Sequence, residues 1–155
     1  MARTEPHLIR FVEQAGRLAE GEGLPRIAGR MMALLMVSGR HMGIDELSQA
    51  LRVSRASVST NGQLLRQLNI AERVTVPGDR RDYLQISGDP CSALLNLGLR
   101  RLRTMRDAIR EMRHALRAGG AGVRARLNQT ERCYDAAVER VESLLGSWQR
   151  GRGRD

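Results

Sequence analysis

Apolar residues recur at three- and four-residue steps over 5–21, where Leu8, Phe11, Val12, Ala15 and Leu18 line one side of an amphipathic helix. Gly21 and Gly23 end it, and Pro25 suits the first turn of a second helix over 26–38. Its Ile27, Met31, Leu34, Leu35 and Val37 are expected to be deeply buried. A glycine-containing turn follows at 39–43. Residues 45–51 then form a short helix whose Asp45 and Glu46 suit the positive end of the helix dipole. Arg52-Val53 makes a tight turn. Ser54 is a good N-cap for a helix running to about Asn69. That helix turns Val58, Leu65 and Leu68 inward and places Arg55, Ser59, Thr60 and Gln63 on the other side.

The period changes to two over 72–87. Val74 and Val76 alternate with polar neighbours on one strand, and Leu84 and Ile86 alternate with Tyr83, Gln85 and Ser87 on the other. Pro77-Gly78-Asp79-Arg80-Arg81 supplies turn chemistry at the tip. From Asp89 the pattern is helical. Leu95, Gly98, Leu102, Met105, Ile109, Met112 and Leu116 form one seam. After a Gly119-Gly120-Ala121-Gly122 turn, Val123, Leu127, Thr130, Tyr134, Ala137, Val141, Leu144 and Trp148 form another, the mark of helices packed at a shallow angle.

A short helix, a tight turn and a second helix with a small-polar exposed face make the helix-turn-helix pattern. The hairpin with arginines at its tip is then a wing. The expected fold is mainly α with a small β-hairpin wing. A winged helix-turn-helix domain occupies 1–88, an antiparallel helical dimerisation hairpin 89–149, and a flexible basic tail 150–155. The helix over 5–21 is a candidate addition to the dimer interface.

Composition sharpens this picture. The 155 residues are 41% hydrophobic but only 3% aromatic, so aliphatic side chains and Met must fill the core. The net charge is +9, and every basic residue is Arg. Residues 1–51 are balanced, whereas 52–81 carry Arg52, Arg55, Arg66, Arg73, Arg80 and Arg81 against Glu72 and Asp79 alone. Positive charge gathers where a nucleic-acid footprint would need it. A second excess of Arg lies at 100–126, where a solvated helix face is the simpler reading. No apolar run approaches the roughly 18 residues of a membrane span, so a cytoplasmic protein with no membrane partner is expected.

Several motifs together resemble the MarR superfamily of winged-helix regulators, and within it the GbsR-like branch. They are Phe11-Val12-Glu13 with Ala15-Gly16, Gly23-Leu24-Pro25-Arg26 with Gly29-Arg30, and Asp45-Glu46-Leu47. Val53-Ser54 with Ser57-Val58-Ser59, and Pro77-Gly78-Asp79-Arg80-Arg81-Asp82-Tyr83, continue the series. The likeness covers roughly 8–88 and reaches the helical hairpin only by pattern. It implies a homodimer on a pseudo-palindromic operator, usually a repressor, with DNA binding weakened by a small-molecule effector or a stress signal. It also implies that Asp79 and Arg81 act as a pair, the carboxylate holding a guanidinium toward the minor groove. Two positions depart from the family pattern. Arg52 stands where Gly is frequent, and Asn61-Gly62 places a weak helix former inside the second helix.

The double-stranded DNA contacts expected from this arrangement centre on Arg55, which suits bidentate contact with guanine. Ser59, Thr60 and Gln63 can meet bases directly or through water, and Ala56 a thymine methyl. Ser54 and Ser57 serve the helix end or a phosphate. Arg66 is a phosphate contact or a solvated charge, and Arg80 joins Arg81 on the wing. For the dimer the candidates are Leu95, Leu102, Met105, Ile109, Met112, Leu116, Leu127, Tyr134, Val141, Leu144 and Trp148. Packing of both seams within one chain is the alternative.

Cys91 and Cys133 are candidate redox sensors, set against the ordinary reading of lone cysteines as small hydrophobes. His7, His41 and His114 lack metal spacing, and no nucleophile elbow, phosphate loop or dinucleotide turn occurs. Neither a metal, a cofactor nor catalysis is expected. Phe11, Tyr83, Tyr134 and Trp148 are too few for an aromatic cage around a quaternary amine. A general nucleoid-type DNA binder and a helical protein-interaction module remain the competing function classes.

Overall fold

The computed structural model describes residues 5–116 and 120–152 and divides into two units, one ending at Pro90 and one starting at Cys91. The first unit opens with α1 (Glu5–Gly21) and α2 (Arg26–Ser38), which pack on each other. Their contact is set by small residues. Val12, Gly16 and Ala19 of α1 and Ala28 and Gly29 of α2 are buried, and Gly29 lies against Gly16 and Ala19. A Cβ on Gly29 would lie 2.4 Å from the Ala19 Cβ and 2.6 Å from the Ala15 carbonyl oxygen. One of these atoms is a methyl fixed directly to the backbone and the other is backbone itself, so neither can yield without moving a helix. Gly29→Ala is expected to lower stability by about 2 kcal/mol, overpacking outweighing the helix propensity gained. Urea unfolding checks it; an unchanged midpoint would contradict the packing.

This close approach also corrects the expected face of α1. The small residues turn inward, so Phe11 and Leu18 point to solvent together with Ile9. In α2, Met31 and Leu35 are fully buried as expected, but Val37 is exposed and Ile27 and Leu34 are half-buried. Glu13 ties the two helices at their rim, 2.7 Å from Arg26 and 2.8 Å from Arg30.

The helix-turn-helix follows. α3 (Ile44–Leu51) ends at Arg52, whose φ of 53° and ψ of 48° place it in the left-handed region. The fold absorbs the cost of a side chain there, of order 1 kcal/mol. Ser48 Oγ donates to the Val53 carbonyl at 2.6 Å across the turn, and Arg30 donates to the Leu51 carbonyl at 2.9 Å from below. α4 (Arg55–Gln67) is shorter than the sequence pattern suggests, because Asn69 also turns left-handed at φ 57°. Leu68 is therefore only half-buried, and Val58, Asn61, Gly62 and Leu65 form the inner face.

Two longer strands, β2 (Ala71–Val74) and β3 (Tyr83–Ile86), form the hairpin; Val76 lies beyond the end of its strand. A third strand escaped the sequence pattern. β1 (Met42–Gly43) pairs antiparallel with β3, giving the order β1-β3-β2. At two residues β1 is too short to show a period. Its register, Met42 opposite Leu84 and Gly43 opposite Tyr83, anchors the wing to the start of α3. Gly62 explains itself here: a Cβ there would lie 2.6 Å from Leu84 Cδ1, so its absence lets α4 seat on β3.

The second unit is the antiparallel pair α5 (Pro90–Ala115) and α6 (Ala121–Arg152). Leu116 falls just beyond α5, and Ala121 and Gly122 already belong to α6 and not to the turn. Gly119 and residues 153–155 lie outside the described residues. Arg150 to Arg152 are helical, where a flexible tail was expected from 150. The intrachain seam is also displaced. Leu99, Val138 and Leu145 are buried, with Leu95, Leu102 and Val141 packed against them. Further along, charges replace aliphatic contacts. Glu131, itself buried, lies 2.8 Å from Arg110 and 2.9 Å from Arg113, and Asp135 lies 3.4 Å from Arg110. Arg103 pairs with Glu142. Met105, Met112, Val123, Leu144 and Trp148 stay exposed, and Ile109, Leu127 and Tyr134 are half-buried.

Candidate nucleic-acid interface

The exposed side of α4 is built from its N-terminus outward. Ser54 Oγ accepts from the Ser57 backbone N–H at 3.1 Å and donates to Ser57 Oγ at 2.9 Å. Both serines thus serve the helix end. Asn61 Nδ2 donates to the Ser57 carbonyl at 2.8 Å, which satisfies a polar residue on the buried face. With these groups occupied, Arg55, Ala56, Ser59, Thr60, Gln63 and Arg66 are left exposed on the outer side. Arg55 Nε lies 2.8 Å from Asp45 Oδ1 of α3.

The wing tip is held by one carboxylate. Gly78, at φ 83°, turns the chain so that Asp79 faces back toward β3. Its Oδ1 accepts from the Arg81 backbone N–H at 2.9 Å and from Arg81 Nε at 3.0 Å. Its Oδ2 accepts from Arg81 Nη2 and, at 2.7 Å, from the Tyr83 hydroxyl. The Arg81 guanidinium, aided by the Arg81 amide and the Tyr83 hydroxyl, holds the Asp79 carboxyl far below its usual range. A carboxylate with a lowered folded-state value contributes its full stabilisation above the ordinary carboxylate range and loses it progressively as pH falls from there through the folded-state value. The clasp is therefore complete at neutral pH and persists well into acid.

The same contact raises Arg81 and, through the hydroxyl bond, Tyr83. The Arg81 guanidinium sits 5.6 Å from the Tyr83 ring centroid, and His41 meets that ring edge-on at 5.0 Å. Tyr83 thus joins β3, the wing tip and the β1 turn. Arg80 is exposed beside this cluster and shares a polar cleft with Arg55, Ser59 and Tyr83.

All eleven residues expected at a DNA surface lie in this first unit, on α4, its N-cap and the wing loop. Four of their neighbours were not legible as site residues. Asp45 meets Arg55, Glu46 meets Arg40, and Asp82 meets Arg73 across the sheet. Tyr83 is the fourth. Such pairs join separate elements and leave no period in the sequence. Cys91, half-buried on α5, and Cys133, exposed on α6, are both free thiols. Among the described residues, no cluster of three or more His, Cys, Asp or Glu could hold a metal, and no helix is long and apolar enough to cross a membrane.

A helix-turn-helix with a three-stranded wing defines the first unit as a winged helix. The chain is 33% identical over 138 residues to the HTH-type transcriptional regulator MmpR5 of Mycobacterium tuberculosis, covering 72% of this chain and 84% of that protein. It is 28% identical over 93 residues to the HTH-type transcriptional repressor OpcR of Bacillus subtilis, covering 60% of this chain and 49% of that one. A crystal structure of a transcriptional regulator superposes with a TM-score of 0.74 at 29% identity, over 94% of this chain and 99% of the other. No family model matches the sequence. The chain belongs to the HTH-type transcriptional regulators.

Proposed function

We propose that this chain is a sequence-specific double-stranded DNA-binding repressor of the MarR superfamily, GbsR-like branch, acting as a homodimer on a pseudo-palindromic operator. One observation carries the reading: an exposed row of Arg55, Ser59, Thr60 and Gln63 stands beside a wing whose Arg81 is already oriented by Asp79. The row fits the major groove and the wing arginine the adjoining minor groove. A single α4 spans too few base pairs to specify a genomic site. Two copies place their helices about 34–36 Å apart, one turn of DNA. Exposed Met105, Met112, Leu144 and Trp148 on the helical pair, with Ile9, Phe11 and Leu18 on α1, supply apolar surface for a second copy. The family resemblance adds release by a small-molecule effector.

Sedimentation should report twice the chain mass, and hydroxyl-radical footprinting upstream of the protein's own gene should show two protected half-sites one helical turn apart. A monomer, or protection without period, would overturn the reading. The wing supplies a separate check. Asp79→Ala removes a negative charge, so a charge-only role predicts tighter DNA binding. Loss of the clasp predicts the opposite, about two- to tenfold weaker binding, because Arg81 must then be ordered on contact. Anisotropy titration of the variant decides between them.

A further inference from the structure

The two arginines that face the cleft between α4 and the wing are held by their carboxylates in different ways. Asp79 takes Arg81 side-on, through Nε and Nη2, and so occupies one edge of the guanidinium. Asp45 Oδ1 lies 2.8 Å from Arg55 Nε as an ion pair, and no hydrogen bond joins any Arg55 guanidinium nitrogen to a described residue. The end of the Arg55 fork is therefore open. Two parallel N–H donors at the end of a guanidinium match the O6 and N7 acceptors of guanine, whereas a side-on clasped arginine offers a point contact. The Arg55–Asp45 pair contributes little to folding, since both side chains are more than half exposed, at 73% and 51%. Its consequence is orientation. Asp45 lies in the first turn of α3, whose start follows directly on the β1 pairing with β3, while Arg55 projects from the first turn of α4.

We infer that Asp45 is a specificity-determining positioning residue, whose ion pair at the Nε side of Arg55 turns the terminal fork outward to read one guanine in each half-site. This rests on the DNA-binding reading above. Asp45 also lies where its negative charge opposes phosphates, so it trades general affinity for discrimination.

The test is selection from a random-sequence duplex library, sequenced for the wild-type chain, Arg55→Ala and Asp45→Asn, with a melting curve for each. The wild type should enrich a motif with guanine at a fixed half-site position, and Arg55→Ala should lose that guanine alone. Asp45→Asn should reduce the preference for it about tenfold, as expected for loss of good bidentate geometry. Other positions should be kept, and binding to the unselected pool should strengthen. If Asp45→Asn keeps the full guanine preference, or flattens every position together with a lowered melting temperature, Asp45 only serves the end of α3 and the inference is overturned. If Arg55→Ala enriches the wild-type motif, Arg55 reads no base; the inference fails while the DNA-binding reading stands. If the wild type enriches no motif, that reading fails and takes the inference with it.

Discussion

Truncating Leu65 to alanine is expected to cost the first unit about 2–5 kcal/mol, the price of lost burial plus the cavity left behind. Leu65 is 1% exposed and sits on the inner face of α4 with Val58 and Gly62. Its carbonyl accepts from the Ile70 N–H at 2.9 Å, so the same residue fixes the exit of the chain toward β2. Small domains retain only about 5–15 kcal/mol in total, so the variant should stand near the edge of folding at growth temperature. Urea unfolding should show a lower midpoint at an unchanged slope. Gln63→Ala, on the opposite side of the same helix, should stay within about 0.5 kcal/mol. A loss below about 1 kcal/mol for Leu65→Ala would mean that α4 does not rest on a packed core.

The second large effect is on recognition. Arg55→Ala should weaken binding to a preferred duplex about 10- to 100-fold, the range of one good bidentate base contact. On shuffled DNA the loss should be small, visible chiefly as a salt slope shallower by about one. Folding should be nearly untouched, because an ion pair exposed on both sides stabilises little. Arg66→Ala provides the contrast. Arg66 is exposed near the end of α4, so its loss should weaken all sequences alike. Equal losses for Arg55→Ala on preferred and shuffled duplexes would remove Arg55 from base reading.

What the sequence revealed and what it hid divide along a physical line. The turn at Arg52, the cap at Ser54 and the tip at Gly78 are local events, each decided by residues within four positions, and all were legible. The outer face of α4 followed from its helical period. Helix faces chosen by steric fit were not. The inward side of α1 is set by Gly16 and Gly29, whose value lies in what they lack, while Phe11 and Leu18 attract any count of hydrophobicity. In the second unit, Arg110, Arg113 and Glu131 occupy contact positions that a heptad pattern assigns to apolar residues. The strand β1 was hidden by its length, and the Asp45–Arg55 and Asp82–Arg73 pairs by the distance in sequence between their partners.

The most direct test of sequence-specific DNA binding is an anisotropy titration near physiological salt, with a fluorescent duplex from upstream of the protein's own gene and a shuffled control. The proposed function predicts that the upstream duplex binds at least about 10³-fold more tightly. Equal affinity for both, falling steeply with salt, would contradict it and leave a general binder of DNA.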